Sequence, residues 1–188
     1  VLSSHSIMTT HAMWRGQIDL VVQAGYRAVA YDARGHGGTT VSCSPYGMHQ
    51  LADDAITLLD ALDIECAHFV GLSLGGMIAF DLLTRYPQRL SSAVICDARA
   101  DSPDFFAAPW DERIDLARDQ GMKMLASPTI ARWAGAQFRE SDSARSLHRM
   151  ICDTPVEGFV GPARALQHFD FRNGLDDVRG PDTLICGT

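Results

Sequence analysis

Residues 67–86 read AHFVGLSLGGMIAFDLLTRY, and they carry a strand signal, a turn signal and a helix signal in succession. The strand signal is the short run Ala67 to Leu72, which has the length and apolar character of a buried strand. The helix signal runs from Gly75 to Tyr86 and ends at the proline that follows, because proline cannot continue a helix. Between the two lies Gly71-Leu72-Ser73-Leu74-Gly75. The stretch therefore predicts a strand, a tight turn that carries Ser73, and a helix.

This turn has the pattern G-x-S-x-G, in which a serine lies on a strained turn between a strand and a helix and exposes its hydroxyl. The pattern alone arises by chance in on the order of one chain in ten of this length, so the flanking strand and helix make it specific. We interpret Ser73 as a catalytic nucleophile rather than as part of a turn that only caps a helix. The backbone N–H of Leu74, the next residue, is then expected to form part of an oxyanion hole.

Strand and helix signals alternate through the first half of the chain, which is typical of βαβ units and a parallel sheet. Further strands are predicted at Val1-Leu2, Arg27 to Tyr31 and Ser92 to Cys96. The clearest amphipathic helix is predicted from Met48 to Leu62, because its leucines fall on one face. The predicted fold class is therefore α/β, with a mostly parallel sheet and helices on both of its faces.

The second half carries helical patterns and no convincing strand until Thr183 to Cys186. We therefore predict a core at residues 1–102, a helical cap at 103–176, and the last strand of the core within 177–188. Two helix starts are predicted inside the cap. Ser127-Pro128 has the residues of an N-cap and first helical position, and Thr154 to Glu157 has capping-box spacing.

The composition excludes several classes of partner. The formal net charge of -7 argues against a protein that binds nucleic acid by neutralising phosphates. The five cysteines are scattered without metal-ligand spacing, so we expect reduced thiols, no metal and a cytoplasmic protein. No apolar run has the length needed to cross a bilayer, so no membrane partner is expected.

A second motif precedes the turn: Asp32-Ala33-Arg34-Gly35-His36-Gly37 stands where α/β-hydrolases carry D-x-R-G-H-G. The two motifs in this order resemble the α/β-hydrolase superfamily, which implies that fold with a helical cap insertion. Over nearly the whole chain the sequence is similar to 3-oxoadipate enol-lactonases. That similarity rests on Leu2 to Ile7, Met13-Trp14, Trp110 to Met122, Arg132-Trp133 and Arg149 to Phe159. It implies cleavage of a small ester or lactone without a cofactor.

The resemblance also assigns roles outside the turn. Many hydrolases of this fold end their first strand here in His-Gly, whereas this chain has His5-Ser6, so that Ile7 becomes the second oxyanion donor by position. His5 is expected to hold the loop rather than to act as a base. Asp32 and its motif neighbours are expected to stabilise a turn, because in this fold the acid and the histidine follow the serine. Trp133 is the first candidate for substrate contact in the cap, although an aromatic at helical spacing is more often part of the core.

The resemblance places the acid of the triad shortly after the strand at Thr183 to Cys186, and the histidine after a further strand. Both are expected beyond Thr188, and the chain is expected to be incomplete at both ends. Asp97 is an alternative acid position. The predicted function is a serine hydrolase that cleaves an ester or enol-lactone. The alternatives are a general carboxylesterase, a noncatalytic hydrolase-like binding fragment, and a cofactor-free haloperoxidase or C–C bond hydrolase. The oligomeric state is not predicted.

Overall fold

The structure, a computed structural model, describes residues 1–186 and contains one parallel sheet. Its strands are β1 (Leu2–Ser4), β2 (Val29–Tyr31), β3 (Ala67–Leu72), β4 (Leu90–Cys96) and β5 (Thr183–Ile185). They lie in the order β2-β1-β3-β4-β5, and every neighbouring pair is parallel. The predicted parallel sheet is thus confirmed.

Helices connect these strands, as a parallel sheet requires. The first four strands are joined by α1 (Arg15–Gln23), α2 (Met48–Ala61) and α3 (Leu74–Arg85). Between β4 and β5 lie α4 (Asp104–Ala107), α5 (Pro109–Gln120), α6 (Lys123–Trp133), α7 (Ala136–Arg139), α8 (Asp142–Asp153), α9 (Val156–Ala165) and α10 (Arg172–Leu175). The fold is α/β, with a parallel sheet flanked by helices.

The strand order creates a crevice between β1 and β3. From β1 the chain moves to β2 on one side, and from β3 it moves to β4 on the other side. Connections that diverge in this way leave space outside the carboxyl ends of the strands, where α/β proteins bind their ligands. Ser4 of β1 pairs with Gly71 of β3, so the loop after Ser4 and the turn at Ser73 lie at the same edge.

The core fixes β3 and α3 firmly around that turn. Phe69, Ile78 and Leu82 are fully buried, and so are Leu51 and Leu59 on the inner face of α2. Burying each such side chain contributes about 1.5–3 kcal/mol. The turn at Ser73 therefore lies between two well-anchored elements.

The two ends of the helical region between β4 and β5 lie next to each other. The N–H of Ser102 donates to the Phe169 oxygen at 2.9 Å, and the N–H of Phe171 donates to the Ala100 oxygen at 2.8 Å. The β-bridge between Asp101 and Asp170 is isolated from the sheet. No strand between residues 103 and 176 joins the sheet. The domain boundaries remain a prediction, and Gly187 and Thr188 of the last segment lie outside the described residues.

Of the two helix starts predicted inside this region, the one at Ser127-Pro128 is wrong, and the one at Thr154 lies within one residue of the observed start of α9. Helix α6 begins at Lys123 and continues through Ser127 and Pro128, because buried residues on both sides of the proline keep one face of the helix in the core. Thr154 ends α8 instead of starting α9, and its hydroxyl donates to the Met150 oxygen at 2.9 Å.

Candidate active site

Ser73 occupies the predicted turn between β3 and α3, with φ 51° and ψ −108°. A positive φ is rare for residues other than glycine, and such a strained conformation costs on the order of 1–3 kcal/mol. The turn is held by hydrogen bonds on both sides. The Ser73 N–H donates to the Cys96 oxygen at 2.8 Å, and the Ser73 oxygen accepts from Met77 at 2.9 Å. The predicted turn geometry is confirmed, whereas the role of Ser73 as nucleophile stays a prediction.

The two glycines of the motif allow three backbones to meet at this turn. A Cβ on Gly71 would lie 2.2 Å from the Gly75 oxygen, and a Cβ on Gly75 would lie 2.2 Å from the Ser4 oxygen. Neither position tolerates a larger residue without movement of the backbone. The start of α3 therefore rests directly against the end of β1.

Two backbone N–H groups at this edge, those of the predicted oxyanion donors, make no hydrogen bond in the described part of the chain. Within residues 1–186, neither Leu74 nor Ile7 donates its N–H to another group of the chain. Leu74 is the first residue of α3, where the helix dipole favours negative charge. Ile7 follows β1, the strand that pairs with β3. The site thus combines a serine hydroxyl with free N–H donors on the two loops that border the crevice.

His5 holds the loop that carries Ile7. Its Nδ1 lies 2.7 Å from the Ser6 oxygen and donates to it, because a carbonyl oxygen can only accept. Its Nε2 accepts the N–H of Ala33 at 2.9 Å. Burial lowers the pKa of His5, so the ring stays neutral. The predicted structural role of His5 is confirmed, and both of its nitrogens are occupied.

His36 also holds this loop, through a contact that the sequence does not reveal. Its Nε2 accepts the N–H of Met8 at 3.0 Å, and its Nδ1 donates to the Arg34 oxygen at 3.2 Å. Burial, together with the nearby His5, lowers the pKa of His36 to about 3. The D-x-R-G-H-G motif was the available signal, but it did not reveal the partner 28 residues away.

Asp32 and Arg34 stabilise the neighbouring turn, as predicted. Asp32 accepts the N–H of His11 at 2.7 Å and that of Gly38 at 3.0 Å. Burial alone would raise the pKa of Asp32, but these hydrogen bonds hold it below its ordinary value. Arg34 donates its Nε–H to Asp54 at 2.6 Å. All of these contacts fix loops, and none of them reaches Ser73.

No hydrogen bond within residues 1–186 links Ser73 to a residue that could act as its base. Within residues 1–186, the Ser73 hydroxyl makes no hydrogen bond to a histidine or a carboxylate. Asp97 follows β4 and is exposed, with its N–H donating to Ile185 at 2.7 Å. His168 is exposed just after α9. His68 is half-buried, and its Nδ1 lies 2.8 Å from the Ser92 hydroxyl oxygen.

The helical region meets the core through α9. Gly158 of α9 touches Gly35, and a Cβ on Gly158 would lie 2.0 Å from the Gly35 oxygen. Helix α9 therefore packs directly against the turn that Asp32 stabilises. Trp133 lies at the end of α6 with 38% of its surface exposed, and its proposed contact with substrate stays a prediction.

Among residues 1–186, no group of three or more His, Cys, Asp or Glu side chains has the arrangement of a metal site. No helix in the described part of the chain combines the length and apolarity needed to span a membrane.

Comparison with known proteins identifies the family. The sequence pattern of the alpha/beta hydrolase fold matches residues 1–160. The chain is 31% identical to 3-oxoadipate enol-lactonase 1 of Acinetobacter baylyi over 190 residues, which span 100% of this chain and 70% of that protein. This protein therefore belongs to the alpha/beta hydrolase family, and its relatives are hydrolases.

Solved structures agree with this assignment. The enol-lactonase of Burkholderia xenovorans LB400 has a TM-score of 0.92 and 30% identity, covering 100% of this chain and 72% of its own. A thermophilic esterase from Thermogutta terrifontis has a TM-score of 0.90 and 26% identity, covering 99% of this chain and 70% of its own. The resemblance to enol-lactonases seen in the sequence is thus confirmed at the level of the family.

Proposed function

We propose that this protein hydrolyses a carboxylic ester or an enol-lactone, with Ser73 as the nucleophile. The observation that carries the proposal is the positive-φ turn at Ser73, which lies at the crevice between β1 and β3. The identity to 3-oxoadipate enol-lactonases supports an enol-lactone as the substrate. Its partner is then a small molecule.

In the proposed reaction the Ser73 oxygen attacks the substrate carbonyl while a base takes the hydroxyl proton. The carbonyl oxygen becomes an anion and accepts hydrogen bonds from the N–H groups of Leu74 and Ile7. Loss of one such donor typically lowers kcat by about 10²–10³-fold. The C–O bond of the ester then breaks, the leaving oxygen takes the proton, and water releases the acyl group from Ser73. These steps require no cofactor.

The positions of His5 and His36 support the role of Ile7. Each histidine accepts one backbone N–H and donates to one backbone oxygen, so together they fix both sides of the loop from Ser6 to Met8. A donor that is held in place before the reaction stabilises a transition state without reorganisation. We therefore assign both histidines as positioning residues.

We further propose that residues 103–176 form a cap over the crevice and that Trp133 contacts substrate from it. The packing of α9 against the turn at Gly35 supports this arrangement. A cytoplasmic location is also proposed, supported by five free cysteines.

A substrate panel tests the proposal. In a longer chain that includes the predicted acid and histidine, we expect an enol-lactone to be cleaved with a higher kcat/KM than aryl esters, and Ser73→Ala to abolish both activities. Ser143→Ala is the matched control, because Ser143 is exposed on α8. Preference for aryl esters would favour a carboxylesterase, which the resemblance to the thermophilic esterase supports as second candidate. Activity that survives Ser73→Ala would refute the nucleophile.

A further inference from the structure

A cavity of about 800 Å³ lies between α6, α7 and α8, and we name it the α6–α8 cavity. Its volume falls within the range of about 300–1,000 Å³ that is usual for small-molecule sites. All of its lining residues belong to these three helices, and neither Ser73 nor any residue of β1 or β3 is among them. Nothing in the proposed reaction uses it.

Four basic side chains line this cavity: Arg139 of α7, and Arg145, His148 and Arg149 of α8. No acidic side chain lines it. Arg145 pairs with Asp142 outside the lining, whereas Arg139 and Arg149 form no ion pair within residues 1–186. The cavity is therefore a local concentration of positive charge in a chain whose net charge is -7.

This clustering brings like charges close together on α8, although Arg145 also pairs with Asp142. Arg145 and Arg149 are four residues apart on one helix, and like charges at this spacing destabilise a helix by about 0.2–0.5 kcal/mol. His148 lies beside them and is half-buried. An anion between the guanidinium groups would turn this repulsion into attraction, and arginine binds carboxylates through paired N–H groups.

The rest of the lining is mostly apolar, with Ser127 as its one polar side chain. Ile130 and Ala144 are buried in the walls of the cavity. An inorganic anion would make no apolar contact with these walls. An organic acid would cover them with its hydrocarbon part. We propose that the α6–α8 cavity binds a small carboxylate with an apolar body, at a site distinct from Ser73. Ester hydrolysis releases acids of this kind. Only this connection between the ligand and the reaction product rests on the proposed function.

The experiment measures binding of octanoate to the full chain by calorimetry, with octanamide as the uncharged analogue. We expect octanoate to bind with one site per chain and octanamide to bind at least about tenfold more weakly, because the charged hydrogen bonds are lost. Arg149→Gln and Arg145→Gln should each weaken octanoate by about tenfold. Arg15→Gln is the matched control, since Arg15 is exposed on α1, and it should leave the affinity within about twofold.

Three results would overturn the proposal. They are equal affinity for octanoate and octanamide, unchanged affinity in both cavity variants, and inorganic phosphate binding as tightly as octanoate. Circular dichroism of each variant shows whether it is folded, so a loss of binding is not confused with unfolding. Ser73→Ala should bind octanoate like the unmodified chain, which separates failure of this site from failure of the proposed reaction.

Discussion

The turn at Ser73 and the helical region between β4 and β5 are specified in different ways. Short-range sterics fix the turn, because glycines at two positions are the only residues that fit between β1, β3 and α3. Burial fixes the helical region, where α6 continues through Pro128 in spite of a local signal for a helix start. A local constraint can be read from neighbouring residues, whereas a constraint from packing requires the whole fold.

The largest expected effect concerns the triad residues predicted beyond Thr188. Without a base, the serine should be a weak nucleophile, and only the oxyanion donors and binding would accelerate the reaction. We expect residues 1–188 to hydrolyse an activated aryl ester barely above background. A longer chain that includes the predicted acid and histidine should be faster by at least about 10⁴-fold. Steady-state kinetics on both chains measures the ratio. Full turnover by residues 1–188 would mean that an internal base exists.

A glycine substitution contrasts the two regions directly. Gly75→Ala places a Cβ 2.2 Å from the Ser4 oxygen, so we expect it to lower the free energy of unfolding by about 3 kcal/mol or to prevent folding. Gly135→Ala, beside α7, meets no atom within 4 Å and has a negative φ. It should change the free energy by less than about 0.5 kcal/mol. Urea denaturation compares the two variants, and similar values would contradict the steric argument.

These contrasts explain how much the sequence could predict. The elements β3 and α3 were predicted to within one residue, because strand, turn and helix signals follow one another there. The helix start at Ser127 was predicted wrongly, because the capping pattern was outweighed by the buried residues on both sides of Pro128. The bond from Met8 to His36 could not be predicted, since it depends on two loops that only the sheet order brings together.

Removal of the His36 ring should affect both stability and catalysis. His36→Ala leaves the Met8 N–H without its acceptor, which costs about 1–3 kcal/mol for a buried group. If the loop positions Ile7, kcat in the longer chain should fall while KM changes little. The exposed His168 supplies the control variant His168→Ala. If His36→Ala lost stability but kept its kcat, His36 would contribute to folding alone and not to the positioning of Ile7.

The last expected effect is a dependence of stability on pH. Burial lowers the pKa of His36 to about 3, whereas an unfolded chain protonates this residue near its ordinary value of 6.5. The unfolded state therefore binds more protons below pH 6.5, and the free energy of unfolding should decrease as the pH falls from 6.5 towards 3. The slope is at most about 1.4 kcal/mol per pH unit for each such histidine. Urea denaturation at several pH values should give a shallower slope for His36→Ala than for His168→Ala. Equal slopes would contradict a neutral, buried His36.

Covalent labelling of the longer chain with a fluorophosphonate tests the nucleophile most directly, because this reagent reacts with an activated serine. We expect one label per chain on the peptide that contains Ser73, a parallel loss of esterase activity, and no labelling of Ser73→Ala. Ser143→Ala should react like the unmodified chain. A label on another residue, or hydrolysis that persists in Ser73→Ala, would contradict the assignment of Ser73 as the nucleophile.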